Sequence, residues 1–188
     1  GTLPRVFMAP MSSWESTDKA DRVFPMQKFI DGVFDKDLIR YARDVRDTKV
    51  PVILTFAGEI NSGWSWSADH NGGFDTNGYG DPRWPDGPER YRDAYRHVIE
   101  LFRREGVNNV TWGFHVGVPW PGEDPGNAIR YYYPGDAYID WLGVSIYAAY
   151  GDALEAIMPF RSFGEIMADV YPALTQLSPS KPLALFEL

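Results

Sequence analysis

The sequence predicts an α/β protein with a parallel sheet, an incomplete (β/α)8 TIM barrel, and three observations carry that prediction. Short apolar runs rich in β-branched residues alternate with segments of helical periodicity along the 188 residues. Trp14, Glu59, His115, Tyr147 and Glu187 fall at the carboxyl-terminal ends of these runs, the face on which a barrel keeps its chemistry. No Gly-x-Gly-x-x-Gly opens a helix after the first strand, which counts against the rival, a small open doubly wound sheet. A barrel closes with about eight strands and this chain supplies about five, so it reads as a partial catalytic domain over residues 1–188, lacking roughly two leading strands and the last. The two open edges make independent folding of the fragment unexpected.

Each element has a local reason. Residues 3–8 (LPRVFM) form a short buried strand that runs into Trp14, and the stretch to Asp31 is polar and irregular. Asp35 is placed to cap a helix over 36–48, with Leu38, Ile39, Ala42 and Val45 on one face. Residues 50–56 are a near-continuous apolar run, the pattern of a strand buried on both sides, and they lead to Glu59, Asn61, Trp64 and Trp66. The Gly/Asn/Asp/Pro-rich loop 67–87 is long enough to be functional or mobile. Pro88 and Glu89 suit the first turn of a helix that buries Tyr91, Tyr95, Val98 and Phe102 and stops at Gly106. Strands follow at 109–116 and 141–147, with a loop at 119–134 between them, then a helix at 162–177 and a last strand at 183–186 that ends on Glu187.

Composition sets the class of partner. Charged residues make up 23% and hydrophobic ones 44%, which is ordinary for a globular chain and argues against disorder. A net charge of −8 disfavours nucleic acid and anionic membrane surfaces, while a neutral polymer is indifferent to it. Seven Trp and eleven Tyr fit a carbohydrate cleft, with a large aromatic core as the plainer reading. The absence of cysteine excludes disulfides and thiolate metal sites and leaves the compartment open. No run approaches the roughly 20 apolar residues that span a bilayer. The spacing of Asp69, His70, Asp75 and Asn77 lacks the calcium-loop pattern, so no metal is expected, and cleavage by two carboxylates needs no cofactor. Asn109 opens a glycosylation sequon, but it lies in a predicted buried strand.

Glu59 and Glu187 are the candidate catalytic pair. They end strands three apart in chain order, so on a barrel they face one another across the mouth. Retaining glycosidases hold two carboxyls about 5–5.5 Å apart and inverting ones about 6.5–9.5 Å apart. Trp64 is the best candidate to stack on a sugar ring, with Trp66, Trp14 and Trp120 behind it; Trp112 and Trp141 read as core. His115 either bonds a sugar hydroxyl or is a passive strand-end histidine, and His97 reads as solvent-facing.

The string Phe56-Ala57-Gly58-Glu59-Ile60-Asn61-Ser62-Gly63-Trp64 resembles the acid/base motif of glycoside hydrolase family 26, the β-mannanase family of the retaining (β/α)8 clan. Gly32-Val33-Phe34-Asp35, Asn109-Val110-Thr111-Trp112, Tyr132-Tyr133-Pro134-Gly135-Asp136 and Asp140-Trp141-Leu142-Gly143 resemble that family's flanking pieces in the same order, from about Gly32 onward. The resemblance implies that the strands here are the third to seventh, with Glu59 as acid/base and Glu187 as nucleophile. It implies that Tyr147 orients Glu187, with a rim aromatic as the alternative. It further implies a polysaccharide substrate such as β-1,4-mannan, action as a monomer in the complete enzyme, and secretion. The chain departs from the family pattern twice. Gly58 stands where a histidine usually precedes the acid/base, and Ser145 stands where an acid is common. These departures leave open His115 as a replacement imidazole and, from another class, a non-catalytic carbohydrate-binding barrel.

Overall fold

The structure, a computed structural model, describes residues 2–14, 19–119, 122–147 and 160–188. Five strands form one sheet, β1 (Arg5–Met8), β2 (Val52–Phe56), β3 (Val110–Gly117), β4 (Trp141–Ser145) and β5 (Leu183–Glu187). Their spatial order is their chain order and every pairing is parallel. A doubly wound sheet reverses its strand order at a switch point, whereas a barrel never does, so the topology is that of a (β/α)8 half-barrel.

The helices are α1 (Met26–Ile30), α2 (Asp35–Thr48), α3 (Asp86–Arg104) and α4 (Phe163–Leu177). Alternation along the strands gives the sheet two unlike faces. One face turns Leu54, Phe56, Trp112, Phe114, Leu142 and Val144 into the core. There Phe56 meets Tyr91 and Tyr95 of α3, and Trp112 meets Tyr95 and Phe102, at ring separations of 5.1–6.3 Å. The other face carries Arg5, Phe7, Gly113, His115, Gly143 and Ser145, and it holds the polar chemistry.

Some sequence expectations change in detail. Residues 26–30, read as irregular, form α1, whose Met26 N–H donates to the buried Asn71 side chain at 2.8 Å. Asp35 does not cap α2; it is the first helical residue, and its carboxylate pairs with His97 at 2.7 Å. His97 is therefore a tie between α2 and α3 rather than a free surface side chain. Ser162 does cap α4, in a reciprocal capping box with Glu165. Asn109 uses its amide to donate to Val45 O and Val50 O, both at 2.9 Å, a structural use of the sequon asparagine. Trp112 is buried, whereas Trp141 is only partly so.

The 67–87 loop is pinned rather than loose. Asp86 accepts from Gly78 N–H at 2.8 Å, and Glu89 accepts from Asp81 N–H at 3.0 Å. Arg92 closes on Glu89 at 2.7 Å and lies over the Trp84 ring. Carboxylates at the start of α3 also suit the positive end of the helix dipole.

Candidate active site

Glu59 and Glu187 line one cleft of about 710 Å³ at the carboxyl-terminal edge of the sheet. Phe7, Trp14, Gly58, Trp64, His115 and Tyr147 line it with them. The strand-end expectation thus brings both carboxylates to one place. The sequence analysis also nominated Trp120, which lies outside the described residues.

Local backbone aims Glu59. The chain leaves β2 with Ala57 at φ +50° and Glu59 at φ +51°, both in the left-handed region. Side chains other than glycine reach that region at a cost of order 1–3 kcal/mol, and such residues cluster at functional sites. The Glu59 carbonyl accepts from Ser62 N–H at 2.9 Å, which closes the turn, and Trp64 Nε1–H donates to Glu59 Oε2 at 2.9 Å. Trp64 is thus a hydrogen-bond donor to the acid as well as an aromatic wall.

Three nominated residues are engaged with the protein itself. Trp66 is buried at 1% exposure, stacks under Trp64 with ring centroids 5.5 Å apart, and donates to Gly58 O at 2.9 Å. It backs Trp64 rather than presenting a face to a sugar. Asn61 is buried and uses both ends of its amide on Gly117, donating to its carbonyl at 3.1 Å and accepting from its N–H at 2.8 Å. It locks the β2 loop to the end of β3. His115 lies in the cleft wall with no exposed surface, and its two ring nitrogens are taken up by Arg5 and Ser145. Trp14, 67% exposed, stands edge-on to Trp66 at the cleft rim and keeps a face open.

Glu187 sits among donors. Tyr147 Oη–H donates to Oε2 at 2.6 Å, and Arg5 Nη2–H donates to Oε1 at 3.3 Å. Its aim comes from an irregularity in the β4–β5 register, where Val144 pairs with Leu185 but Ser145 pairs with Glu187. Such a bulge puts two consecutive residues on one face. Phe186 consequently packs into the inner face against Gly143 and His115, and Glu187 still reaches the cleft. A Cβ on Gly143 would stand 1.9 Å from Phe186 Cε2, so only glycine leaves room for that ring.

Sequence reasoning missed Arg5 and Phe186. Arg5 was visible as a cation inside an apolar strand, a placement that requires a partner. Phe186 carried no local signal, because its role comes from the bulge.

His115 joins the two halves of the site. Its Nδ1 lies 3.0 Å from Arg5 Nη2 and its Nε2 lies 2.7 Å from Ser145 Oγ. Burial first, and the Arg5 charge second, push its pKa down to about 3, so the ring is neutral near pH 7. Among the described residues no three acidic or histidine side chains converge as a metal site would require.

Two carboxylates thus share the carboxyl-terminal edge of a half-barrel, one beside stacked tryptophans and one beside an arginine and a tyrosine. The comparisons give the family. The model of glycosyl hydrolase family 26 matches residues 6–180, and the chain belongs to that family. Endoglucanase H of Acetivibrio thermocellus is 28% identical over 159 residues, which cover 83% of this chain and 16% of that protein. The family 26 β-mannanase of Bacteroides ovatus superposes with a TM-score of 0.62 at 20% identity, over 98% of this chain and 51% of that one. A β-mannanase from a symbiotic protist of the termite Reticulitermes speratus, solved with a gluco-manno-oligosaccharide, gives 0.59 at 17% identity over 98% and 51%. The chain spans about half the length of these solved structures.

Proposed function

We propose that the chain carries the catalytic edge of a retaining endo-β-glycanase that cleaves β-1,4-mannan or a related plant β-glycan by double displacement. The observation that carries this reading is the unlike setting of two glutamates in one cleft. Glu187 is held by a cation and a phenol, and Glu59 by a single indole N–H. Such asymmetry is what a division between nucleophile and proton donor requires.

In the first step Glu59 gives its proton to the glycosidic oxygen as that oxygen leaves. A Glu187 oxygen forms a bond to the anomeric carbon in its place. In the second step Glu59, now ionised, takes a proton from water. The resulting hydroxide displaces Glu187 from the anomeric carbon, and the product keeps the β configuration. Trp64 and Trp14 offer ring faces for flanking sugars. A polymer substrate does not cross membranes, so the enzyme acts outside the cell, and one complete barrel suffices as a monomer.

A β-glucan is the second reading for the polymer. It draws only on the name of Endoglucanase H, which is 28% identical to this chain over a stretch that makes up 16% of that protein. Product analysis of the complete catalytic domain on mannan, xylan and mixed-linkage glucan decides between them. Glu187→Ala is expected to abolish turnover of the preferred polymer; activity within about tenfold of the parent, a cost of only ~1.4 kcal/mol, refutes the nucleophile assignment.

A further inference from the structure

We propose that His115 is a positioning residue for the nucleophile, acting through Arg5, and that Gly58 and Ser145 are the two residues that permit it. The inference rests on the double-displacement reading above.

Hydrogen-bond chemistry assigns the imidazole without ambiguity. A guanidinium has donors only, so Nδ1 of His115 must accept from Arg5 Nη2 at 3.0 Å. The ring proton of the neutral imidazole is then on Nε2, where it donates to Ser145 Oγ at 2.7 Å. Arg5 Nη2 carries two hydrogens. One is held by His115, which turns the other toward Glu187 Oε1 at 3.3 Å. Nη1 donates to Phe186 O at 2.6 Å, so the guanidinium holds both the backbone before the nucleophile and the nucleophile itself. Its plane is held against the Phe186 ring, with Cζ 4.8 Å from the centroid.

Gly58 is a steric condition of this arrangement. A Cβ at that position would stand 2.4 Å from His115 Nδ1 and 3.1 Å from Cε1, in the space the imidazole occupies. Any side chain before Glu59 displaces the ring that holds Arg5. Ser145 is an electrostatic condition. Its hydroxyl accepts from Nε2 and adds no charge, whereas a carboxylate there would favour a second ring proton. That proton would sit on Nδ1, and a cation would then face the Arg5 guanidinium at hydrogen-bond distance. The two departures from the family pattern thus serve one neutral imidazole brought in from the neighbouring strand, and they are not marks of a decayed site.

The test compares two substitutions in the complete catalytic domain. An asparagine amide oxygen takes roughly the place of Nδ1, so His115→Asn keeps the acceptor for Arg5, and His115→Ala removes it. His115→Asn is expected to keep kcat within about threefold of the parent. His115→Ala is expected to lose about 30- to 100-fold in kcat with KM changed less than about threefold, the scale of a misplaced reacting group. Nitrogen NMR of the parent is expected to show the His115 ring protonated on Nε2 and bare on Nδ1 at pH 7. That readout needs neither a variant nor turnover. Equal losses for Asn and Ala in an active parent, or a proton on Nδ1, overturn the inference alone. A parent that cleaves no β-glycan overturns the hydrolase reading, and this inference with it.

Discussion

Acidification is expected to destabilise the domain through His115 in a way that one substitution isolates. The imidazole is fully buried, and its pKa falls from 6.5 to about 3 on folding. Between these values the unfolded chain binds a proton that the folded chain refuses. Stability is therefore complete above about 6.5, falls as the pH drops through that window, and becomes flat again below about 3. One such group gives a slope that approaches about 1.4 kcal/mol per pH unit below the unfolded pKa, so lowering the pH from 7 to 4.5 costs about 2.5 kcal/mol. Native carboxylates add their own acid sensitivity, which makes the parent alone uninformative. The measurement is the difference in urea unfolding free energy between the parent and His115→Asn, taken at pH 7 and near pH 4.5. The parent is expected to lose about 2.5 kcal/mol more than the variant across that interval. Parallel losses in the two proteins would falsify the claim that the ring is held neutral.

Two further outcomes follow from contacts at the same edge. Trp64→Phe keeps an aromatic wall over Trp66 but removes the Nε1–H donor to Glu59. A hydrogen bond to a charged group is worth about 1.5–3 kcal/mol, so kcat is expected to fall about 10- to 100-fold, and an unchanged kcat refutes a role for that bond. Gly143→Ala forces a methyl group into the Phe186 ring, which the backbone holds 1.9 Å from the new atom. A loss of ~1–3 kcal/mol in denaturation is expected, with a fall in kcat because Phe186 adjoins Glu187; a variant as stable as the parent shows that the ring moves freely.

The parts of this site that were legible in the sequence share a physical character. The strands and α2, α3 and α4 follow from hydrophobic period and turn chemistry, which act over a few residues. Both glutamates were visible because each follows an apolar run, and a parallel sheet puts the ends of such runs on one edge. Gly58 and Ser145 were visible as departures but had no explanation, since neither has a local one.

The rest of the site depends on contacts between distant parts of the chain. Arg5 meets Glu187 across 182 positions and His115 across 110, through a register that no sequence period encodes. The bulge between β4 and β5 put Phe186 and Glu187 on one side, against the alternation that the strand pattern predicts. Asn61 and Trp66 look like sugar-binding residues by type, and packing buried both. The strand pattern alone places Glu59 and Glu187 at the edge where the cleft forms. The curl and register of the sheet decided how an arginine, a neutral histidine and an absent side chain at Gly58 hold one of them in place. Burial and hydrogen-bond geometry depend on neighbours that the chain brings together only on folding.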